Sequence, residues 1–150
     1  MKLSKNLSLI EVTKSQTAIR LGISNEPTPE HLENLVRLAN NVFQPIREHF
    51  GVPIFISSGY RSEALNKAVK GSKTSQHCKG EAIDIDMDGT TITNKMVFDF
   101  IKENLTFDQV IFEFGTKDNP DWVHVSYSKT NRKQVLRAMK KEGKTIYVNY

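Results

Sequence analysis

Three residues of this 150-residue chain, His77, Asp84 and His124, are of the types that hold metals and move protons. His77 lies near the end of a Ser/Gly-containing loop, residues 70–80. Asp84 falls on the polar face of the alternation Ala82-Ile83-Asp84-Ile85-Asp86, and His124 on the face opposite Val123 and Val125. Two imidazoles and one carboxylate are a sufficient ligand set for zinc and leave a fourth position open. A site of that kind acidifies water to a pKa of about 7 and polarises a carbonyl. As spacing alone, a histidine seven residues before an aspartate and another forty residues on describes ordinary hydrogen-bonded strand residues equally well.

The neighbours of these residues add a pattern. Ser75-Gln76-His77-Cys78-Lys79-Gly80-Glu81-Ala82-Ile83-Asp84 has the form S-x-H-x-x-G-x-A-x-D, and Trp122-Val123-His124 has the form W-x-H. Ser57-Ser58-Gly59-Tyr60-Arg61-Ser62 precedes both. Together they resemble the zinc D-alanyl-D-alanine peptidase family, nearest to its compact single-domain members among bacteriophage lysis proteins and bacterial cell-wall peptidases. The resemblance runs from the segment TKSQTAIRLGI to the segment WVHVSYS.

The resemblance implies a role for each matched position. His77, Asp84 and His124 match the family's Zn2+ ligands. Arg61 matches the arginine that contacts substrate and stabilises its carbonyl oxygen as that becomes an oxyanion; a surface salt bridge is the plain alternative. Ser75 matches a serine that hydrogen-bonds substrate. Gly80 and Ala82 fit as small residues that let loop and strand pack near the metal. For the general base there are two acids. Asp121 stands three residues before the last histidine, and Glu113 stands in Ile111-Phe112-Glu113-Phe114-Gly115 on the preceding strand. Asp121 is slightly preferred, although its side chain is shorter. Cys78 reads as a bystander thiol and Asp86 as a partner that orients a histidine. His31 and His49 read as surface residues.

The implied function is a zinc metallopeptidase, carboxypeptidase or endopeptidase, that hydrolyses an amide bond in peptidoglycan stem peptides. A phage endolysin or other cell-wall lytic enzyme fits that description. The alternative is a non-catalytic zinc-binding structural or wall-binding module on the same fold.

These residues must be positioned by regular elements. Ser8-Leu9-Ile10-Glu11 has the form of a capping box that opens a short helix. Thr28 followed by Pro29 starts a longer one, whose Leu32, Leu35, Val36, Ala39, Val42, Phe43, Ile46 and Phe50 form one apolar face ending at Gly51. Pro45 lies inside and should kink it. Pro53–Ser57 reads as a buried strand, Ser62 caps a short helix, and Thr93 caps another with Met96, Val97, Phe100, Ile101 and Leu105 inward. Strands follow at 82–86, 109–114 and 122–127, with further strands at 133–139 and 145–149. Helices first and strands later indicate an α+β fold, a mostly antiparallel sheet with helices packed on it, resembling the D-Ala-D-Ala peptidase/hedgehog-type fold.

Composition narrows the rest. With 38% hydrophobic and 25% charged residues, one domain over 1–150 with one core is expected, and a disordered polyelectrolyte is excluded. No apolar run reaches the ~20 residues of a membrane span, so no transmembrane segment is expected. Without an apolar stretch near the N-terminus, synthesis in the cytoplasm without a signal peptide is expected, with action on the cell wall after holin-type release. The single Cys78 excludes an intrachain disulfide. The net charge of +4 is uneven: residues 81–121 hold ten acids against three lysines, and residues 129–144 hold seven bases against one acid. That basic stretch lacks interleaved aromatics, which argues against nucleic acid and leaves adhesion to the wall as its use. A monomer is expected.

Overall fold

The computed structural model describes all residues 1–150. A small hairpin, β1 (Lys2–Ser4) and β2 (Leu7–Ser8), opens the chain and leads into α1 (Leu9–Thr13) and α2 (Gln16–Leu21). Glu11 accepts from both the backbone N–H and the hydroxyl of Ser8, at 2.8 Å each, which fixes the start of α1. Neither β1–β2 nor α2 is expected from the sequence pattern, because two- and three-residue strands carry no usable periodicity.

The long amphipathic segment is helical throughout, with Thr28 accepting from the His31 N–H as its N-cap. It is divided into α3 (Pro29–Leu38), a π-helical turn (Ala39–Phe43) and α4 (Gln44–Phe50). Ahead of Pro45 the helix is irregular: the preceding turn widens, with Gln44 N–H bonding back to Ala39 C=O. The side-chain amides of Asn40 and Asn41 donate to the carbonyls of Val36 and Arg37, so these oxygens keep partners through the irregular turn. Gly51, left-handed at φ 67, ends the helix.

The sheet has six strands: β3 (Ile56–Ser58), β4 (Ala82–Ile85), β5 (Gln109–Glu113), β6 (Trp122–Ser126), β7 (Gln134–Lys141) and β8 (Lys144–Asn149). Their spatial order is β3-β4-β6-β5-β7-β8, antiparallel except for the β5–β7 pair. This is the expected α+β, mostly antiparallel arrangement. Strand β3 starts three residues later than Pro53 suggests. Helices α5 (Glu63–Ala68) and α6 (Asn94–Asn104) begin at the expected caps, Ser62 and Thr93. The 70–80 loop contains one turn of 3-10 helix, Gln76–Lys79. No helix is long and apolar enough to cross a membrane.

A main cluster of 23 buried residues, including Leu35, Phe43, Ile83, Phe98, Phe112 and Val123, joins the helices to one face of the sheet. A second, small cluster of Ile111, Leu136 and Ala138 lies apart, with Phe114 against it. Two polar residues tie the connections down. Asn94 is buried; its amide donates to Asp86 Oδ1 and to the Pro120 and Asp121 carbonyls, and its Oδ1 accepts from the Met87 N–H. Asp108 is buried too and accepts from Gln76 Nε2 (2.9 Å) and from Arg132 Nε (2.9 Å) and Nη2 (2.8 Å). It thereby fastens the 3-10 turn to the loop that enters β7.

The Arg132 hydrogen bonds hold the Asp108 carboxyl down at about 2. A depressed carboxyl stabilises the fold fully above its unfolded value near ~3.9 and loses that contribution as pH falls through the folded value. Asp108→Asn is accordingly expected to lower stability by about 1–3 kcal/mol at neutral pH in denaturant unfolding. The gap between wild type and variant should narrow between about pH 4 and pH 2; a constant gap would show that the carboxylate charge contributes nothing.

Candidate metal centre

Strand pairing brings the first two candidate ligands together. Asp84 on β4 stands directly opposite His124 on β6, and Asp84 Oδ1 lies 3.0 Å from His124 Nδ1. His77 arrives from the 3-10 turn, placing its Nε2 3.3 Å from the same oxygen. The turn is built for this. Ser75 caps it by accepting the His77 N–H at 3.2 Å, and Gly80 ends it in the left-handed conformation at φ 73. A side chain at Gly80 would strike the backbone carbonyl of His31, so the turn packs this closely against α3 only with glycine there.

The other ring nitrogen of His77 orients the ring. Nδ1 lies 2.7 Å from the Gly59 carbonyl, which only accepts, so Nδ1 carries a hydrogen and Nε2 is the ring nitrogen turned to the site. Nε2 faces a carboxylate oxygen 3.3 Å away, so a nitrogen and an oxygen converge on one point that a proton or a metal ion can occupy. One ligand atom from each of the three residues lies within 4.8 Å of the others. Ligands at ~2.0–2.2 Å from a zinc ion are separated by comparable distances, so the group fits a metal ion. Burial pushes the Asp84 carboxyl up, but the two adjacent imidazoles more than offset this and hold it well below the usual carboxylate range.

The three residues line a cavity of about 820 Å³ that also takes in Arg61, Ser75, Glu113, Phe114 and Trp122. Arg61 makes no ion pair, and its Nε is buried without a partner, so the surface salt bridge is not formed. The two candidate acids part. Glu113 is buried and lines this cavity; burial pushes its carboxyl up to about 7, with Asp84 adding and His124 opposing. Asp121 is exposed and lines a different, mostly polar hollow with Asp88, Asn94 and Asn119. The preference for Asp121 over Glu113 is therefore not carried forward, because β6 begins just after Asp121 and the loop turns its side chain away from the cavity. Asp86 is a second correction. Its Oδ1 accepts from Asn94 and the Asp88 N–H, and it orients no histidine. Cys78 stays outside the ligand group. His31 is half-buried behind the site, with Nδ1 3.1 Å from the Tyr60 hydroxyl, and His49 stacks on Phe100 at the surface.

Sequence reasoning missed part of the wall. Phe114, left-handed at φ 56, packs its ring 5.4 Å from that of Trp122. Leu136, Lys140, Thr145 and Tyr147 reach the cavity from β7 and β8, whose alternation alone does not say which face looks onto a site. Partial burial pushes the Tyr147 phenol up, as do the charges of Glu113 and Asp84.

A mixed, mostly antiparallel sheet thus carries a His-Asp-His group that could hold a metal ion and an unpaired arginine in one cleft. A family model described as Peptidase M15 matches residues 5–126, and the chain belongs to that family, the zinc D-alanyl-D-alanine peptidase family. No curated protein matches the chain.

One divalent ion per chain is the expected stoichiometry in calorimetry. His124→Ala should weaken binding by more than ~100-fold, beyond the 10–100-fold typical of losing an outer partner. Asp121→Asn should leave affinity within about 2-fold, since its side chain lies outside the cavity. Equal affinity in wild type and His124→Ala would refute the ligand set.

Proposed function

We propose that this protein is a zinc metallopeptidase that hydrolyses an amide bond in the peptide stems of peptidoglycan, with Glu113 as the group that moves the proton. The observation that carries this reading is Glu113 itself: a buried carboxylate in the same cavity as His77, Asp84 and His124, with a proton affinity poised near neutrality. Peptidoglycan as substrate, and lytic action at the cell wall as in a phage endolysin, rest on the family resemblance.

A zinc ion held by the three ligands would polarise the substrate carbonyl and acidify the attacking water. The remaining work falls to the chain. His77, fixed by its Nδ1–H bond to Gly59, and His124, fixed by sheet register, keep their ring nitrogens aimed at one point. Glu113 accepts a proton from the attacking water and delivers it to the departing amine nitrogen. Arg61, with no carboxylate to neutralise it, donates to the carbonyl oxygen as negative charge develops there. The Ser75 oxygen is occupied by the His77 N–H, which leaves its own hydrogen free for a substrate acceptor.

Digestion of purified muropeptides followed by mass spectrometry tests the reading. A defined mass loss that stops with a chelator and returns with zinc is expected; intact muropeptides under all conditions would overturn it. On metal-loaded protein, Glu113→Gln should lower turnover by roughly 10²–10⁴-fold while metal content stays constant. Asp121→Asn should remain near wild type. Arg61→Ala should lose about 10²–10³-fold, the scale of one oxyanion donor.

A further inference from the structure

The cleft does not end where the family match ends. The matched region stops at residue 126, while β7 (Gln134–Lys141) and β8 (Lys144–Asn149) continue the sheet and supply Leu136, Lys140, Thr145 and Tyr147 to the cavity wall. Register fixes how they do so. Glu113 pairs with Trp122 on one side and Ala138 on the other, and Ala138 pairs with Tyr147. A single row, Trp122–Glu113–Ala138–Tyr147, therefore crosses four strands on the face that carries the site. Ala138 is small and fully buried in that row, between the longer Glu113 and Tyr147, both of which line the cavity.

Two residues further along β7 lies Lys140, opposite Thr145. Its Nζ donates to Thr145 Oγ1 at 2.9 Å and sits 5.6 Å from the centre of the Phe114 ring. No carboxylate pairs with it. The ammonium is thus oriented by a hydroxyl and an aromatic face while its charge stays unneutralised. The cleft floor is acidic, at Asp84 and Glu113, and Arg61 stands beyond β3, at the opposite edge of the sheet from the hairpin.

We propose that the β7–β8 hairpin is a specificity subsite, in which Lys140 and Tyr147 bind a free carboxylate of the substrate peptide distinct from the reacting carbonyl. A carboxylate accepts from an ammonium and a phenol together, whereas a carboxamide in the same place forfeits the charge attraction. Strands ~4.8 Å apart and a rise of ~3.4 Å per residue put the Lys140 position, two strands over and four residues along, about 17 Å from the His124 position, or roughly five residues of extended peptide. The inference rests on the peptidase reading only for the class of ligand, a peptide acid.

Binding separates the two, because it needs no turnover. Trp122, the single tryptophan, lines the cleft and reports occupancy by its fluorescence. The probes are the stem peptide L-Ala-γ-D-Glu-L-Lys-D-Ala-D-Ala and two derivatives in which the D-Glu α-carboxylate or the C-terminal carboxylate is a carboxamide. They are titrated into full-length Glu113→Gln protein, with and without Lys140→Gln. The acid should bind about 5–10-fold more tightly than one of the amides, and Lys140→Gln should erase that preference by weakening the acid alone. Tyr147→Phe should reduce it partially. In the Glu113 background, kcat for the acid should hold while KM rises when Lys140 is replaced. Equal binding of acid and amides, or a preference unchanged by Lys140→Gln, overturns the subsite. Acid preference without hydrolysis of any probe would retain the subsite and refute the peptidase reading.

Discussion

Asp84 and His124 face each other across one antiparallel strand pair, and the site depends on that register. A slip of one residue would turn Asp84 into the core and bring Ile83 or Ile85 out, because side chains alternate faces with a period of two. The apolar residues enforce the register. Ile83, Ile85, Val123 and Val125 are fully buried beneath the same two strands, so the hydrophobic face and the polar face are specified by one pairing. The energy that holds the carboxylate against the imidazole comes from packing on the other side of the sheet.

His77 cannot be fixed that way, since it lies on no strand. A chain of local devices takes the place of a register: the Ser75 cap, the left-handed Gly80, the Gly59 carbonyl on Nδ1, and the Asp108 clamp on Gln76. Gly59 in turn is held by α1, whose Val12 carbonyl accepts from the Tyr60 N–H at 2.6 Å. A side chain at Gly59 would collide with that carbonyl, so glycine is what lets α1 buttress the turn. The small N-terminal elements thus contribute to the site without touching it.

Much of this was legible in the sequence, and the reasons differ by element. The long helix, the Ser62 and Thr93 caps and the strands at 82–86, 109–114 and 122–127 follow from periodicity and capping chemistry. The grouping of His77, Asp84 and His124 was legible only through the resemblance that the motif around them bears to the zinc D-alanyl-D-alanine peptidase family. A place three residues before the last histidine slightly favours Asp121 over Glu113, and only the fold shows that Glu113 is the one that lines the cleft. The π-helical turn ahead of Pro45 was equally hidden, because a kink and a widened turn answer the same missing N–H. Lys140 and Tyr147 carry no local signal; their place in the cavity wall emerges only when β7 lies parallel to β5 and continues the row through Glu113.

Diffraction from crystals of the zinc-loaded protein, collected at the zinc edge, tests this account most directly. One anomalous peak should appear at ~2.0–2.2 Å from His77 Nε2, an Asp84 carboxylate oxygen and a ring nitrogen of His124, with Glu113 beside the site but not bound to the ion. A peak held by Cys78, or by the Asp88–Asp121 hollow in place of the two histidines, would contradict it.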